Sequence, residues 1–561
     1  MRVRIPPGPH SYVRSARSRK FLPSRHTDCP GGDALERPDT NTPGQQPRIV
    51  MLVANHFLHD TRVYKEARSL IEWGCEVHVI AMCDSALPME EEVDGIHVHR
   101  VPMRRGDVMR LGAILLWWCR PVLRWLVGSP REDLPAEFAS EPKTVSERSR
   151  PASTALLRRA LRNIPASRRM AHTALRACRL LARVTARVYR SMKRRVTTVV
   201  RTITRRIKRV VPPSVRLLGM NLQFARHAID LRPDVVLSHD LNTLLAGALV
   251  KRLIGVGLVY DSHELFLKRN IGNKSRAKDN LIWAPIERCC IGKCDAVLSV
   301  ADGICDYLAK QYKIPKPHLI RNVQPYEPPG VKTTLLADEL GIPADRWIAI
   351  YAGAITINRG LEVMIDSAPY LKGTVYVIMG YARNPDYLDS LKQRAMNLGV
   401  MGSSVFFREA VPIGDVVRYV ASADLGIVPT QNVCLSYFFE SSNKIFHCVM
   451  AGVPVVMSDH CEKRLLVENY GIGALFDETD PKEIARVVSM TLDDREAYAA
   501  HRRNCIEAAR VLNWEHEQHA LRRVFADLLG DRALAIPEIA IEPLRTSETT
   551  PLKNAKYATT P

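Results

Sequence analysis

Short runs of mostly apolar residues, each followed by an amphipathic stretch, recur in two series along the chain. The first comprises RIVMLVA (48–54), EVHVIAM (76–82), IHVHRV (96–101), DVVLSHD (234–240), GLVYDSHE (257–264) and CDAVLSV (294–300). The second comprises WIAIYAGA (347–354), TVYVIMG (374–380), SVFF (404–407), DLGIVPT (424–430) and PVVMSD (454–459). A strand with one wet face alternates apolar with polar; a strand apolar almost throughout is buried on both faces, as in a parallel sheet with helices packed on each side. The helical stretches, beginning with one near 63–73, supply the crossovers, so the pattern predicts two similar-sized α/β domains. They are expected to join at about 325–345, after the Pro-rich QPYEPPG (324–330).

The first series is interrupted between residues 103 and 216. Lys plus Arg is 80 against 59 for Asp plus Glu over the 561 residues. From 101 to 215 there are 27 basic and 6 acidic residues, an excess that equals the whole net charge of +21, so the charge belongs to one insertion and not to the fold. Within it, 148–215 has no acidic residue. Apolar residues recur there at spacings of three and four from Leu181 to Val210, with Arg and Lys on the other faces, which reads as a basic amphipathic helix. Upstream, LGAILLWWCRPVLRWLVG (111–128) is apolar, but Arg120, Pro121 and Arg124 interrupt it, and Trp with Arg suits an interface better than a span. The segments 111–128 and 168–210 are therefore expected to lie on an anionic membrane surface. A solvated helix packed on the domain is the plainer reading; nucleic acid is disfavoured because neither interleaved aromatics nor a recognised motif is present.

Residues 1–47 read as a disordered tail, and their opening equally resembles a start assigned too far upstream; they contain no secretory signal peptide. Residues 531–561 form a second polar tail. The domains are thus expected at 48–330, with insertion 103–216, and at 331–530. The 13 cysteines are scattered without metal-like spacing, which favours buried thiols in a reducing compartment and predicts no metal.

Ligands of open α/β sheets bind at the carboxyl ends of the strands. There, Gly353 permits a tight turn after WIAIYAGA, Asn358 is placed to cap the next helix, and Arg359 stands at its start. Further on, ESSNKIFHCVMAGVPVV places Glu440 ahead of Ser442 or Asn443 as a cap, and Lys444 in the first helical turn. A cation there opposes the helix dipole and needs another reason, which a diphosphate held between Arg359 and Lys444 would supply.

The order of these pieces resembles glycosyltransferase family 4, retaining enzymes of the GT-B fold. In the first domain the resemblance rests on HDTRVYKEARSLIEWGCEVHVIA (59–81), PDVVLSHDLNTLLAG and GLVYDSHELF; in the second it rests on NRGLE, NKIF with MAG, and PVVMSD. It implies two Rossmann-like domains facing across a cleft, no cofactor, and a nucleotide-diphosphate sugar as donor. Gly353, Arg359, Asn443 and Lys444 would hold that donor. His263 would lie near the reacting sugar, with Glu440 beside it as the second catalytic candidate. Asp60, Arg62, His239, Asp240 and Glu264 would form the acceptor side, although Asp60 reads equally as a helix cap and Arg62 as a surface residue. His447 stands where the family often has a glutamate, and Ile355 and Thr356 stand where it commonly has an arginine. With the basic insertion, the resemblance implies transfer to a lipid-linked or glycan acceptor from the inner face of the cell membrane. A nucleotide-sugar 2-epimerase and a non-catalytic binding protein on the same scaffold are the alternatives.

Overall fold

The computed structural model describes residues 46–58, 60–83, 86–102, 213–272, 277–328, 330 and 332–530. Both tails, His59 and the sequence from 103 to 212, and with them the expected membrane segments, lie outside the described residues.

Two sheets organise the rest. The first contains β1 (Arg48–Leu52), β2 (Glu76–Met82), β3 (Glu90–Val93), β4 (Ile96–Val101), β5 (Val235–His239), β6 (Gly257–Ser262), β7 (Ala296–Ser299) and β8 (His318–Leu319), in the order β3-β4-β2-β1-β5-β6-β7-β8. The second contains β9 (Trp347–Ala352), β10 (Thr374–Gly380), β11 (Val405–Glu409), β12 (Leu425–Val428), β13 (Val455–Ser458) and β14 (Gly473–Phe476), in the order β11-β10-β9-β12-β13-β14. Every pairing is parallel except β3 with β4.

β1 shows why its sequence makes such a sheet. Ile49 and Met51 pack beneath helix Thr61–Glu72, while Val50 and Leu52 pack on the opposite face against helix Pro213–Asp230. All four are fully buried, each worth about 1.5–3 kcal/mol relative to exposure. Strand order reverses between β1 and β5 and again between β9 and β12, so each sheet opens a crevice at its carboxyl edge there.

Three local expectations are corrected. β3 is an additional strand, made by a two-residue Asp94–Gly95 loop with φ of 51° and 82°, the geometry of a tight hairpin. Asn358 does not cap a helix: it has φ 64° itself, and helix Leu361–Ser367 starts from Gly360, where a Cβ would meet the Pro429 carbonyl oxygen at 1.8 Å. The sequence from about Arg495 to Leu529 reads as one long helical pattern, but it forms two helices, Arg495–Ala509 and Trp514–Leu529. Asn513 divides them, accepting from the His516 N–H at 3.0 Å and donating to the Ala509 carbonyl at 2.9 Å. The break sends Trp514, Leu521, Val524, Phe525 and Leu529 back into the core of the first sheet. Asn513→Ala is therefore expected to cost about 1 kcal/mol, seen as a lowered thermal midpoint by circular dichroism that Asn513→Ser largely restores.

Candidate active site

The carboxyl ends of β1, β5 and β6 bring together one buried charge network. Asp261, at the end of β6 and fully buried, accepts two bonds of 2.7 Å from Arg62 Nε and Nη2. The same carboxylate accepts from His263 Nε2 at 2.8 Å and lies 3.2 Å from His239 Nδ1. Arg62 also donates to the Ile320 carbonyl at 2.7 Å and lies 3.1 Å from Glu66, one helical turn on. Arg62 is thus a core residue and not a surface one, while Asp60 is the helix cap, accepting from the Val63 N–H at 3.3 Å.

These neighbours decide protonation. Burial works against charge on His263, but Asp240 and Asp261 outweigh it and lift the imidazole to about 10. Burial, Asp261 and Arg62 act on Glu66 with a net rise to about 7; burial and Asp240 push Glu264 to about 7. His263 is therefore a charged donor at neutral pH and not a base. Asp240 accepts from the His263 backbone N–H with Oδ1 at 3.2 Å, and its Oδ2 lies 3.5 Å from the ring Nδ1. Asp240 holds φ 60°, ψ 163°, a conformation that costs a non-glycine residue on the order of 1–3 kcal/mol. His239, Asp261 and His263 are the one grouping among the described residues that could hold a metal ion, but Arg62 already engages both oxygens of the shared carboxylate.

In the second sheet the loops after β9 and β12 gather cations. Arg359 Nη1 donates to Glu440 Oε2 at 2.8 Å and its guanidinium stacks 4.5 Å above the Tyr437 ring. Lys444, in the first turn of helix Asn443–Met450, lies 5.2 Å above the Tyr351 ring and 3.4 Å from Ser442 Oγ. Ser442 starts that helix without a side-chain cap. Gly353 makes room for this lysine, since a Cβ there would fall 2.6 Å from Lys444 Cε. Burial and Arg359 depress Lys444 to about 7. Glu440 is pulled the other way: burial is outweighed by Arg359, Lys463 and Lys444, leaving it at about 2. Lys463, fully buried, donates to Ser458 Oγ at 2.8 Å and lies 3.8 Å from Glu440. No short-range pattern in the sequence marks Lys463 as part of this site. His447 is buried and faces Gln324 at 2.9 Å, and burial with Lys444 holds it neutral at about 4.

Both groups open on one cavity of about 380 Å³. Asp60, Arg62, Asp240, His263 and Glu264 line it from the first sheet; Arg359, Glu440, Asn443 and Lys444 line it from the second. His239 stands behind His263, and Gly353 stands behind Lys444. Arg359 Nε and Ser441 Oγ are buried there without hydrogen-bond partners. Three cations around one carboxylate make the second wall a site for an anion. Asp261→Asn is expected to lower the His263 pKa. The imidazolium's stabilising contribution is complete below its ordinary value of 6.5 and lost as pH rises through about 10, so ¹⁵N-imidazole NMR should find His263 charged at pH 8 in the wild type and titrating earlier in the variant.

Residues 333–512 match the family model described as glycosyl transferases group 1, and residues 177–323 match that of Glycosyltransferase Family 4, together more than half of the chain. An α-maltose-1-phosphate synthase of Mycolicibacterium smegmatis is 25% identical over 335 residues, 54% of this chain and 83% of that protein. A D-inositol 3-phosphate glycosyltransferase of a Nocardioides species is 25% identical over 310 residues, 50% and 65% of the two chains. Among solved structures, a sucrose-phosphate synthase of Thermosynechococcus elongatus superposes with TM-score 0.58 at 13% identity, covering 86% of this chain and 99% of that one. Anabaena HepE in complex with UDP and glucose superposes with TM-score 0.53 at 13% identity, covering 86% and 100%.

Proposed function

Since the chain belongs to glycosyltransferase family 4 and is an enzyme of GT-B architecture, we propose that it transfers a sugar, with retention of configuration, from a uridine diphosphate sugar to an acceptor held at a membrane surface. The observation that carries the reading is one cavity shared by both halves, with a cationic wall facing the His263 wall. The donor's diphosphate sits against Arg359, Lys444 and the first N–H groups of helix Asn443–Met450, where a negative group meets both cations and the helix dipole. The bond from the sugar's anomeric carbon to the phosphate oxygen breaks as the acceptor oxygen bonds to that carbon from the same face. The acceptor's proton passes to the departing phosphate oxygen. Lys444 and Arg359 stabilise charge that grows on the diphosphate, and the charged His263 donates to a hydroxyl of the sugar. Glu440 stays ionised and holds Arg359 in place.

The basic insertion supports membrane attachment by its charge and apolar spacing, with the protein peripheral on the inner face. Among the described residues no helix is long and apolar enough to cross a membrane. The names of the relatives suggest a second acceptor class, a small sugar or polyol phosphate.

Arg359→Ala and Lys444→Ala are each expected to weaken binding of uridine diphosphate by at least about tenfold in calorimetry; unchanged binding would place the donor elsewhere. Lys444 is half-charged near pH 7, so diphosphate binding should take up a proton and weaken as pH rises above 7. Calorimetry in buffers of different ionisation enthalpy reads that proton. Deleting residues 148–210 should abolish co-sedimentation with vesicles of phosphatidylserine while leaving uridine diphosphate binding intact. Product analysis with lipid-linked, glycan and phosphorylated acceptors separates the two acceptor classes.

A further inference from the structure

A second cavity, of about 250 Å³, lies beside the first on the wall of the first sheet. Two elements connect them. The segment after β6 gives Glu264 to the first cavity and Leu265 to the second; helix Asp302–Tyr312 gives Ile304 to the first and Leu308, one turn of about 5.4 Å further on, to the second. The two cavities are therefore neighbours on the same wall, separated by the Glu264–Leu265 segment and one turn of that helix.

The chemistry of this second cavity is mixed in a particular way. Tyr307, Tyr312 and Phe266 contribute rings, Phe266 with Arg269 already stacked on it at 3.6 Å, and Asn280, Arg288 and Gln311 add polar groups. Glu287, only 3% exposed, contributes a carboxylate that accepts from the Tyr312 hydroxyl at 2.6 Å and the Tyr260 hydroxyl at 3.2 Å. A carboxylate offers about four acceptor positions, and these bonds use two. A hydrocarbon chain pressed against Glu287 would strand the remaining lone pairs at the cost of a buried unpaired polar group. A ring with an apolar face and hydroxyls on its rim satisfies both the aromatic faces and the carboxylate.

We propose that this cavity is a second carbohydrate subsite, which binds the sugar of the acceptor adjoining the one that receives the transferred residue. The inference rests on the transferase reading, which it deepens: the acceptor contains at least two sugars. Glu287 accepts their hydroxyls, and the loop 264–268 separates the reacting sugar from its neighbour.

Ala284, half-buried in the lining, provides the test, because Ala284→Trp fills the cavity and removes no hydrogen bond. Wild-type chain, Ala284→Trp and Glu287→Gln are applied to a printed array of mono- to hexasaccharides of varied composition, with folding checked by circular dichroism melting. In the wild type, some glycans of two or more sugars are expected to bind about tenfold or more above their component monosaccharides, as one hydrogen bond to a charged group allows. Ala284→Trp should remove that difference. If it fails to melt cooperatively, Glu287→Gln, expected to weaken the same glycans, decides in its place. Binding to no glycan, or a length dependence that survives in the folded variant, overturns the subsite. Uridine diphosphate binding is measured on the same samples: its absence counts against the donor reading and leaves the array result to judge the subsite.

Discussion

One buried carboxylate, Asp261, carries the geometry of the first half. It joins helix Thr61–Glu72 to β6 through Arg62, and it holds both His239 and His263 within 3.2 Å. Buried ion pairs contribute little net stability, because desolvating both partners offsets their attraction. Removing one partner, however, strands the other. The effect of Asp261 is therefore geometric and electrical: it fixes where His263 points and keeps it charged. With burial alone His263 would be neutral and could not serve as a dependable donor.

The second half is built on the opposite imbalance. Arg359, Lys444 and Lys463 surround Glu440, and two of the three are held below their ordinary range. A folded chain at its energetic optimum would not bury such a surplus, nor would it put Asp240 at positive φ. Both costs fall at the crevices where strand order reverses, in keeping with the tendency of functional sites to carry strain that the surrounding core supports. The His447–Gln324 contact ties the helix that carries Lys444 to the chain joining the two halves, with the imidazole kept neutral by burial and Lys444.

Much of this was legible in the sequence. Strands buried on both faces announce themselves as unbroken apolar runs, and the loops after them follow from topology; Arg359, Lys444 and His263 stand on those loops and meet in one cavity. What was hidden depended on distance or on weak local signals. Glu90–Val93 has no apolar alternation, and only the Asp94–Gly95 pair betrays its hairpin. Lys463 looks like any helical lysine until tertiary packing sets Ser458 and Glu440 around it. Arg62 reads as a surface residue unless Asp261, 199 positions away, is known to be its partner. The division at Asn513 was marked only by a capping residue within an otherwise periodic stretch, and periodicity alone favoured continuity.

The return of helix Trp514–Leu529 to the first core means that the chain passes between the halves twice. The passages lie side by side, since the Trp514 N–H donates to the Gln324 carbonyl at 2.8 Å, and Lys65 of the first half holds the outgoing strand through Asn322 at 3.0 Å. The halves also meet away from this seam: Phe439 of the second half packs into a core cluster of the first, and the Gly303 N–H donates to Glu462 at 3.4 Å. The cationic wall and the His263 wall are thereby held in register from more than one side, so the shape of the space between them is set by the packing of both halves and not by the connecting chain alone.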